Sequence, residues 1–227
     1  MKKVLLTTVM TVLGILVLTG CSKDDDNDGT GTENNSGSKG LKPKGLEAVD
    51  LGLPSGTKWA NMNVGATKPE EYGGYYAWGE TEEKEEYSWE TYIHCDGSDK
   101  TCHDIGKSIF GTEYDVAHVK LGGNWQMPSI NQIEELLNNS ERYKTTLNGI
   151  KGYKFIGSNG NSIFLPSSND WHFGTRGGYD NAASYWSGTK KVASGNSAYT
   201  LYFDDYYDIK SSSGSVCTGR VVRPVSK

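Results

Sequence analysis

Long apolar runs are missing from this chain after residue 20. Hydrophobic residues fill 35% of its 227 positions, and no later segment approaches the ~20 consecutive apolar residues of a transmembrane helix. Basic charge is also short. The chain carries 23 Lys and Arg against 28 Asp and Glu. Lys2 and Lys3 both fall in the first 20 residues, which hold no acid, so the rest carries 21 against 28, or −7. That argues against nucleic acid, whose binding needs a basic face. It equally argues against electrostatic docking to anionic lipid headgroups. Catalytic signatures are absent: there is no His-Glu-x-x-His, no Gly-x-Ser-x-Gly elbow and no phosphate-binding glycine loop. His118, Asp170 and His172 are present, but sequence alone does not assemble them into a triad.

Glycine (29 residues) and tyrosine (14 residues) are abundant, which suits many short strands and turns better than a helical bundle. The N-terminus has its own pattern. Lys2 and Lys3 precede an apolar stretch over residues 4–18, broken by Thr7, Thr8, Thr11 and Gly14. That length is short for a membrane span and fits the h-region of a signal peptide. An uncleaved anchor helix is the alternative. Leu18-Thr19-Gly20-Cys21 resembles a bacterial lipobox, which implies lipidation of Cys21 and cleavage in front of it. Residues 1–20 then form the signal peptide, and membrane attachment is through lipid. Residues 21–45 hold an acidic run (Asp24, Asp25, Asp26, Asp28) followed by Gly, Ser, Asn, Thr and Lys. They cannot bury a core and read as a disordered tether. The acidic run also resembles the signal that sends lipoproteins of Bacteroides-type bacteria to the outer face of the outer membrane. Plain solvated linker is the other reading.

Residues 46–227, roughly 180 positions, suffice for one domain. A strand over 46–53 meets the turn Pro54-Ser55-Gly56, and Lys58-Trp59-Ala60 starts another. Residues 80–86 hold five acids and one lysine and read as a solvated loop. Ser129 and Gln132 make a capping box, and Ile130, Ile133, Leu136 and Leu137 give the helix behind it an apolar face. A shorter helix runs over 115–119, stopped by Gly122-Gly123. Strands at 153–156 and 162–165 flank Ser158-Asn159-Gly160. Residues 166–184 read as a long loop, 198–203 as a strand and 216–225 as the closing strand. These elements define an α+β domain.

Several phrases together resemble one family. They are Val49-Asp50-Leu51-Gly52-Leu53-Pro54-Ser55-Gly56-Thr57-Lys58-Trp59-Ala60, Asn63-Val64-Gly65-Ala66, Tyr76-Ala77-Trp78-Gly79-Glu80-Thr81 and Gly122-Gly123-Asn124-Trp125-Gln126-Met127-Pro128. Ser162-Ile163-Phe164-Leu165-Pro166, Tyr185-Trp186-Ser187-Gly188 and Gly219-Arg220-Val221-Val222-Arg223-Pro224-Val225 continue it to about residue 226. The pattern is similar to the Fibrobacter succinogenes major paralogous domain of surface lipoproteins. That family is similar in turn to C-type-lectin-like folds, including the formylglycine-generating branch. The resemblance implies terminal strands paired in one sheet and a looped-out region across the domain. The formylglycine-generating branch uses reactive cysteines near its C-terminal end, where this chain has only Cys217. The Glu-Pro-Asn, Gln-Pro-Asp and Trp-Asn-Asp triplets of calcium-dependent sugar binding are absent.

The remaining candidates concern thiols and aromatic rings. In an oxidising compartment, Cys95 and Cys102 are expected to form a disulfide. Zinc held by His94, Cys95, Cys102 and His103 is the alternative. Cys217 is either a free buried thiol or a competitor for that pairing. Trp171, Phe173, Tyr179, Tyr206 and Tyr207 are the candidate ligand-binding residues, since rings among acids and amides suit sugar faces or protein surfaces. Tyr185 and Trp186 crowd the same region but read better as core. The expectation is a surface-anchored, non-catalytic binding module for a glycan or protein, without cofactor or metal. A structural or adhesive surface component and a cryptic enzyme are the rivals.

Overall fold

The structure, a computed structural model, describes residues 43–172, 175–177, 181–206 and 208–226. Its first and last strands share a sheet. β1 (Ala48–Asp50), β2 (Lys58–Ala60) and β11 (Val225–Ser226) run in the order β1-β2-β11. Trp59 lies opposite Val49 on one side and Val225 on the other. The turn between β1 and β2 closes by Gly56 N–H donating to the Leu53 carbonyl at 2.9 Å, with Gly56 at φ 72°, a conformation cheap only for glycine. The two ends of the domain therefore pair, as the resemblance implied.

The strand expected over 216–225 shrinks to its last residues. Pro224 has no N–H to give a ladder. The segment before it instead bridges a different partner at nearly every step: Gly219 with Trp171, Arg220 with Tyr76 and Val221 with Tyr185. It is a strap threaded through the core, where Val221, Val222 and Val225 are fully buried.

The two helices form where their caps predict. Asp115 caps α1 (Val116–Leu121), accepting from the N–H groups of Ala117 at 2.9 Å and His118 at 3.2 Å. Gly122, at φ 65°, ends it. Asp115 is buried and also accepts from Gly111 N–H and Met127 N–H, each at 2.9 Å. Burial nonetheless pushes its carboxyl above the usual range, against these bonds. α2 (Ile130–Asn139) has the full Ser129–Gln132 capping box and buries Gln132, Ile133 and Leu136. Gln132 also donates to Thr57 Oγ1 at 3.1 Å, tying α2 to the start of β2.

Three further antiparallel sheets complete the domain. β3 (Glu141–Leu147), β4 (Ile150–Ile156) and β5 (Ser162–Pro166) form one, in that order. β6 (Asp170–His172) pairs with β7 (Thr175–Gly177) inside the stretch expected to be loop. β8 (Ala183–Lys190), β9 (Ser197–Phe203) and β10 (Lys210–Ser215) form the last, with α2 packed on it. β3 is not evident from hydrophobic pattern, because it is a partly exposed edge strand rich in charge. Its signal is the two-residue turn Asn148-Gly149, with φ values of 48° and 86°.

The core is aromatic. Trp59, Trp78, Trp186, Tyr76, Tyr87, Tyr185, Phe155 and Phe203 are all fully buried. Trp186 and Tyr185 thus belong to the core. Arg223 is fully buried among them. Its guanidinium donates to Asn63 Oδ1 at 2.7 Å, the Ala60 carbonyl at 3.0 Å and the Phe164 carbonyl at 2.8 Å. One residue thereby joins β2, the loop after it and β5. The acidic run is only partly the solvated loop that its composition suggests. Glu80 is buried, pairs with Lys84 at 2.8 Å and accepts from Ile93 N–H at 3.0 Å. A lone acid among five is drawn inward because lysine and backbone donors meet it there. Among the described residues, no helix is long and apolar enough to cross a membrane.

Candidate functional site

The hairpin tip between β9 and β10 spans residues 204–209 and is held from inside by Asp204. That buried carboxylate accepts from Tyr202 Oη at 2.5 Å and from Tyr206 N–H at 2.7 Å. The second bond is a side chain mimicking a backbone turn two residues ahead. It fixes the backbone at Tyr206 while the ring points outward, 78% exposed. Large exposed rings on an ordered turn supply contact area at low entropic cost. Phe173, Tyr179 and Tyr207 lie outside the described residues.

Trp171 has a different role in the geometry. Its indole N–H donates to the Glu85 carbonyl at 3.1 Å, and its ring packs on Tyr75 with centroids 5.6 Å apart. Its backbone exchanges bonds with Gly219 at 2.8 and 3.0 Å. The ring is half-buried against the core, away from the isolated exposure of Tyr206.

Beside the tip is a cleft of about 300 Å³, lined by Lys144, Thr146, Lys151, Tyr153, Asn181 and Asp205 among others. Four parts of the chain bring these groups together. β3 and β4 supply the lysines and Tyr153, the tip supplies Asp205, and the turn before β8 supplies Asn181. Asn181 takes a left-handed φ of 60° and donates to Asp205. Lys144 donates to the Asp204 carbonyl at 3.0 Å and lies 3.8 Å from the Asp205 carboxylate. Tyr153 Oη meets Asp208 Oδ1 at 3.1 Å, and burial, then that carboxylate, push its phenol up to about 12. The result is a shallow polar cleft with cationic, amide and carboxylate groups, next in the chain to the exposed Tyr206 ring. Such a set can hydrogen-bond hydroxyls or carboxylates and stack on an apolar face. Sequence reading finds Tyr206 and the acids around it but misses Lys144, Lys151 and Asn181. Their signal exists only once β3 is recognised as a strand.

The remaining candidate groups are engaged in structure. Cys95 and Cys102 form a disulfide across a separation of 7 residues. The zinc alternative falls with it, because both thiols are consumed. His94 Nε2 lies 3.0 Å from the Gly79 carbonyl, and its ring makes edge contacts with Tyr92 and Tyr114. Reducing the disulfide is expected to cost about 2–3 kcal/mol of stability, by the chain entropy of so short a loop. Urea unfolding with and without reductant measures this. Asp170 accepts from Arg220 Nε at 3.2 Å and Nη2 at 3.0 Å, and that guanidinium stacks 4.3 Å from the Trp186 ring centroid. It anchors the strap.

Cys217 is a free, buried thiol 3.2 Å from Ser215 Oγ. Burial pushes it up. Its folded titration therefore lies above the unfolded value of about 8.5. The stability that this shift contributes is full below the unfolded value and is lost as pH rises through the folded one. In full-length chain carrying Cys21→Ser, a thiol reagent is expected to find no reactive group in the native state and one after unfolding. Fast native reaction would contradict the buried placement.

No known family, curated protein or solved structure matches this chain.

Proposed function

We propose that this protein is a surface-displayed lipoprotein, held to the outer membrane through lipid on Cys21, whose domain binds a ligand without catalysis. The ligand is a glycan or a protein surface met at the β9–β10 tip. The observation that carries the reading is Tyr206, 78% exposed on a turn fixed by buried Asp204 and beside the polar cleft of Asp205, Asn181, Lys144 and Lys151. Asp205 and Asn181 offer an acceptor and a donor at neighbouring positions, which suits adjacent hydroxyls on a sugar ring. The paired terminal strands and the ordered family phrases support a C-type-lectin-like fold of the Fibrobacter succinogenes major paralogous type. In that arrangement residues 21–45 are the tether. The −7 charge after residue 20 argues against nucleic acid as the partner.

A glycan array probed with the full chain in detergent tests this. Selective retention of a glycan class, lost on Asp205→Ala, is the expected result. Retention unchanged by both Asp205→Ala and Tyr206→Ala would place binding elsewhere. A fixed stoichiometric protein partner with no glycan retained would favour a structural component.

A further inference from the structure

The β3-β4-β5 sheet has two edges, and the protein treats them differently. Along β4, the Lys151 carbonyl accepts from Ser167 N–H at 2.8 Å, on the β5 side. Hydrogen bonding alternates along an antiparallel strand. Lys151, Tyr153 and Phe155 therefore bond toward β5, and Ile150, Gly152, Lys154 and Ile156 bond toward β3. The register pairs those four with Leu147, Thr145, Tyr143 and Glu141. The N–H and C=O groups of Arg142, Lys144 and Thr146 consequently point out of the sheet.

On the β5 edge two of the outward carbonyls are occupied. Phe164 O accepts from Arg223 at 2.8 Å, and Pro166 O accepts from Tyr185 Oη at 2.6 Å. The β1 edge is treated similarly, since Asp50 O accepts from the amides of Asn159 and Asn161 at 2.9 and 2.8 Å. On β3, no donor or acceptor among the described residues meets the outward backbone of Arg142, Lys144 or Thr146. Lys144 and Thr146 are exposed. Natural edges are commonly guarded by charge. β3 has its charges at Glu141, Arg142 and Lys144, and none over Thr145, Thr146 and Leu147.

Those unguarded residues sit between two clefts. Thr145 and Thr146 line the polar cleft already described and also a second one, of about 390 Å³, that includes Pro69, Tyr143, Leu147 and Phe164. Side chains alternate across a strand, so Lys144 and Thr146 face one side while Tyr143, Thr145 and Leu147 face the other. A strand added to this edge would place alternate side chains beside the two clefts in turn. One cleft offers Lys144 and Lys151. The other offers Tyr143, itself 47% exposed, with Leu147 and Phe164.

We infer that β3 is a strand-addition site for an extended peptide of a protein partner, acidic at alternate positions and apolar between them. The inference rests on reading the domain as a binding module and adds to it a peptide-binding edge that shares the polar cleft with the tip. Main-chain bonds to Arg142, Lys144 and Thr146 supply affinity, and the two clefts supply selectivity. A second copy of this chain suits the edge poorly. Antiparallel pairing of β3 with itself would bring Arg142 and Lys144 of both copies onto one face, and facing like charges destabilise a sheet. β10, another sheet edge, offers only Lys, Ser and Gly over 210–215 and no apolar side chain.

The probe is the blocked peptide Thr-Glu-Val-Glu-Val-Glu-Val-Thr, titrated into the full chain in detergent. Two N-methylated forms, each blocking one alternate set of amides, and a form with lysine for glutamate accompany it. The parent peptide is expected to bind. One N-methylated form and the lysine form are expected to weaken by at least about tenfold, while the other N-methylated form still binds. Thr146→Pro removes an outward N–H and leaves the β4 ladder intact, so it should weaken binding similarly at unchanged melting temperature. Hydrogen exchange at the Arg142, Lys144 and Thr146 amides of the parent chain should slow on peptide addition, a readout independent of any variant. Because the added strand and the tip share the polar cleft, glycan retention by Thr146→Pro is measured alongside: retention kept while the peptide is lost assigns the peptide to the β3 edge and leaves the tip reading standing. The inference is overturned if no peptide binds at about 1 mM, if both N-methylated forms bind like the parent, or if those amides gain no protection. A dimer abolished by Thr146→Pro would assign the edge to a second copy and overturn it equally.

Discussion

Replacing Arg223 by methionine is expected to lower the free energy of unfolding by about 3–5 kcal/mol, as breaking a buried polar network does. The guanidinium is fully buried and has no carboxylate within its hydrogen-bonding set: its partners are Asn63 Oδ1, Ala60 O and Phe164 O. Burial holds it down to about 10, so it remains charged at neutral pH. Methionine fills much of the volume but donates nothing. Three buried acceptors then lose their donor, at about 1–3 kcal/mol for each left unsatisfied, less whatever relaxation restores. The loss is structural in a specific way. Arg223 covers the β5 edge and holds the closing strap beside β2, so its removal loosens three elements together. Urea unfolding of parent and variant measures the effect. A change below about 1 kcal/mol would mean that water or backbone movement satisfies the acceptors.

Cys21→Ala is expected to abolish lipid attachment outright. The argument is chemical: the thiol is the only group of residue 21 that can carry a thioether-linked lipid, and alanine has none. On the proposed lipoprotein reading the apolar stretch over 4–18 would still engage the export machinery, so the variant should accumulate as a longer, unprocessed precursor. Metabolic labelling with a palmitate analogue and gel mobility read both consequences. Label retained at the N-terminus of the variant would overturn the lipoprotein reading.

Much of the fold is legible because local signals coincide with tertiary need. Ser129 and Gln132 announce α2 by mutual capping, and its apolar face is the face that packs. Lys58-Trp59-Ala60 reads as a strand, and its pairing with the C-terminus is implied only by the resemblance. The failures have physical causes. Glu141 to Leu147 hides because an exposed edge strand needs no hydrophobic alternation. The strap at 216–224 reads as one strand by its valines, yet its backbone changes partner from Trp171 to Tyr76 to Tyr185, and Pro224 has no N–H to continue a ladder. Glu80 is indistinguishable in sequence from its solvated neighbours until Lys84 and Ile93 N–H are placed beside it. The site divides the same way. Tyr206 and Asp205 stand out as a ring among acids at a turn, whereas Lys144 and Lys151 join them only through sheet register and Asn181 only through its bond to Asp205.

Exposed side chains contribute binding without contributing stability, and that separation is what a binding tip predicts. The decisive measurement is a titration of whichever glycan or protein the chain retains, with the parent and with Tyr206→Ala/Tyr207→Ala. Affinity should fall by about 1–3 kcal/mol, roughly 5- to 150-fold, if the rings are anchors. The melting temperature should stay within about 1–2 °C of the parent. A double variant that binds as tightly as the parent, or one that unfolds, would contradict the account.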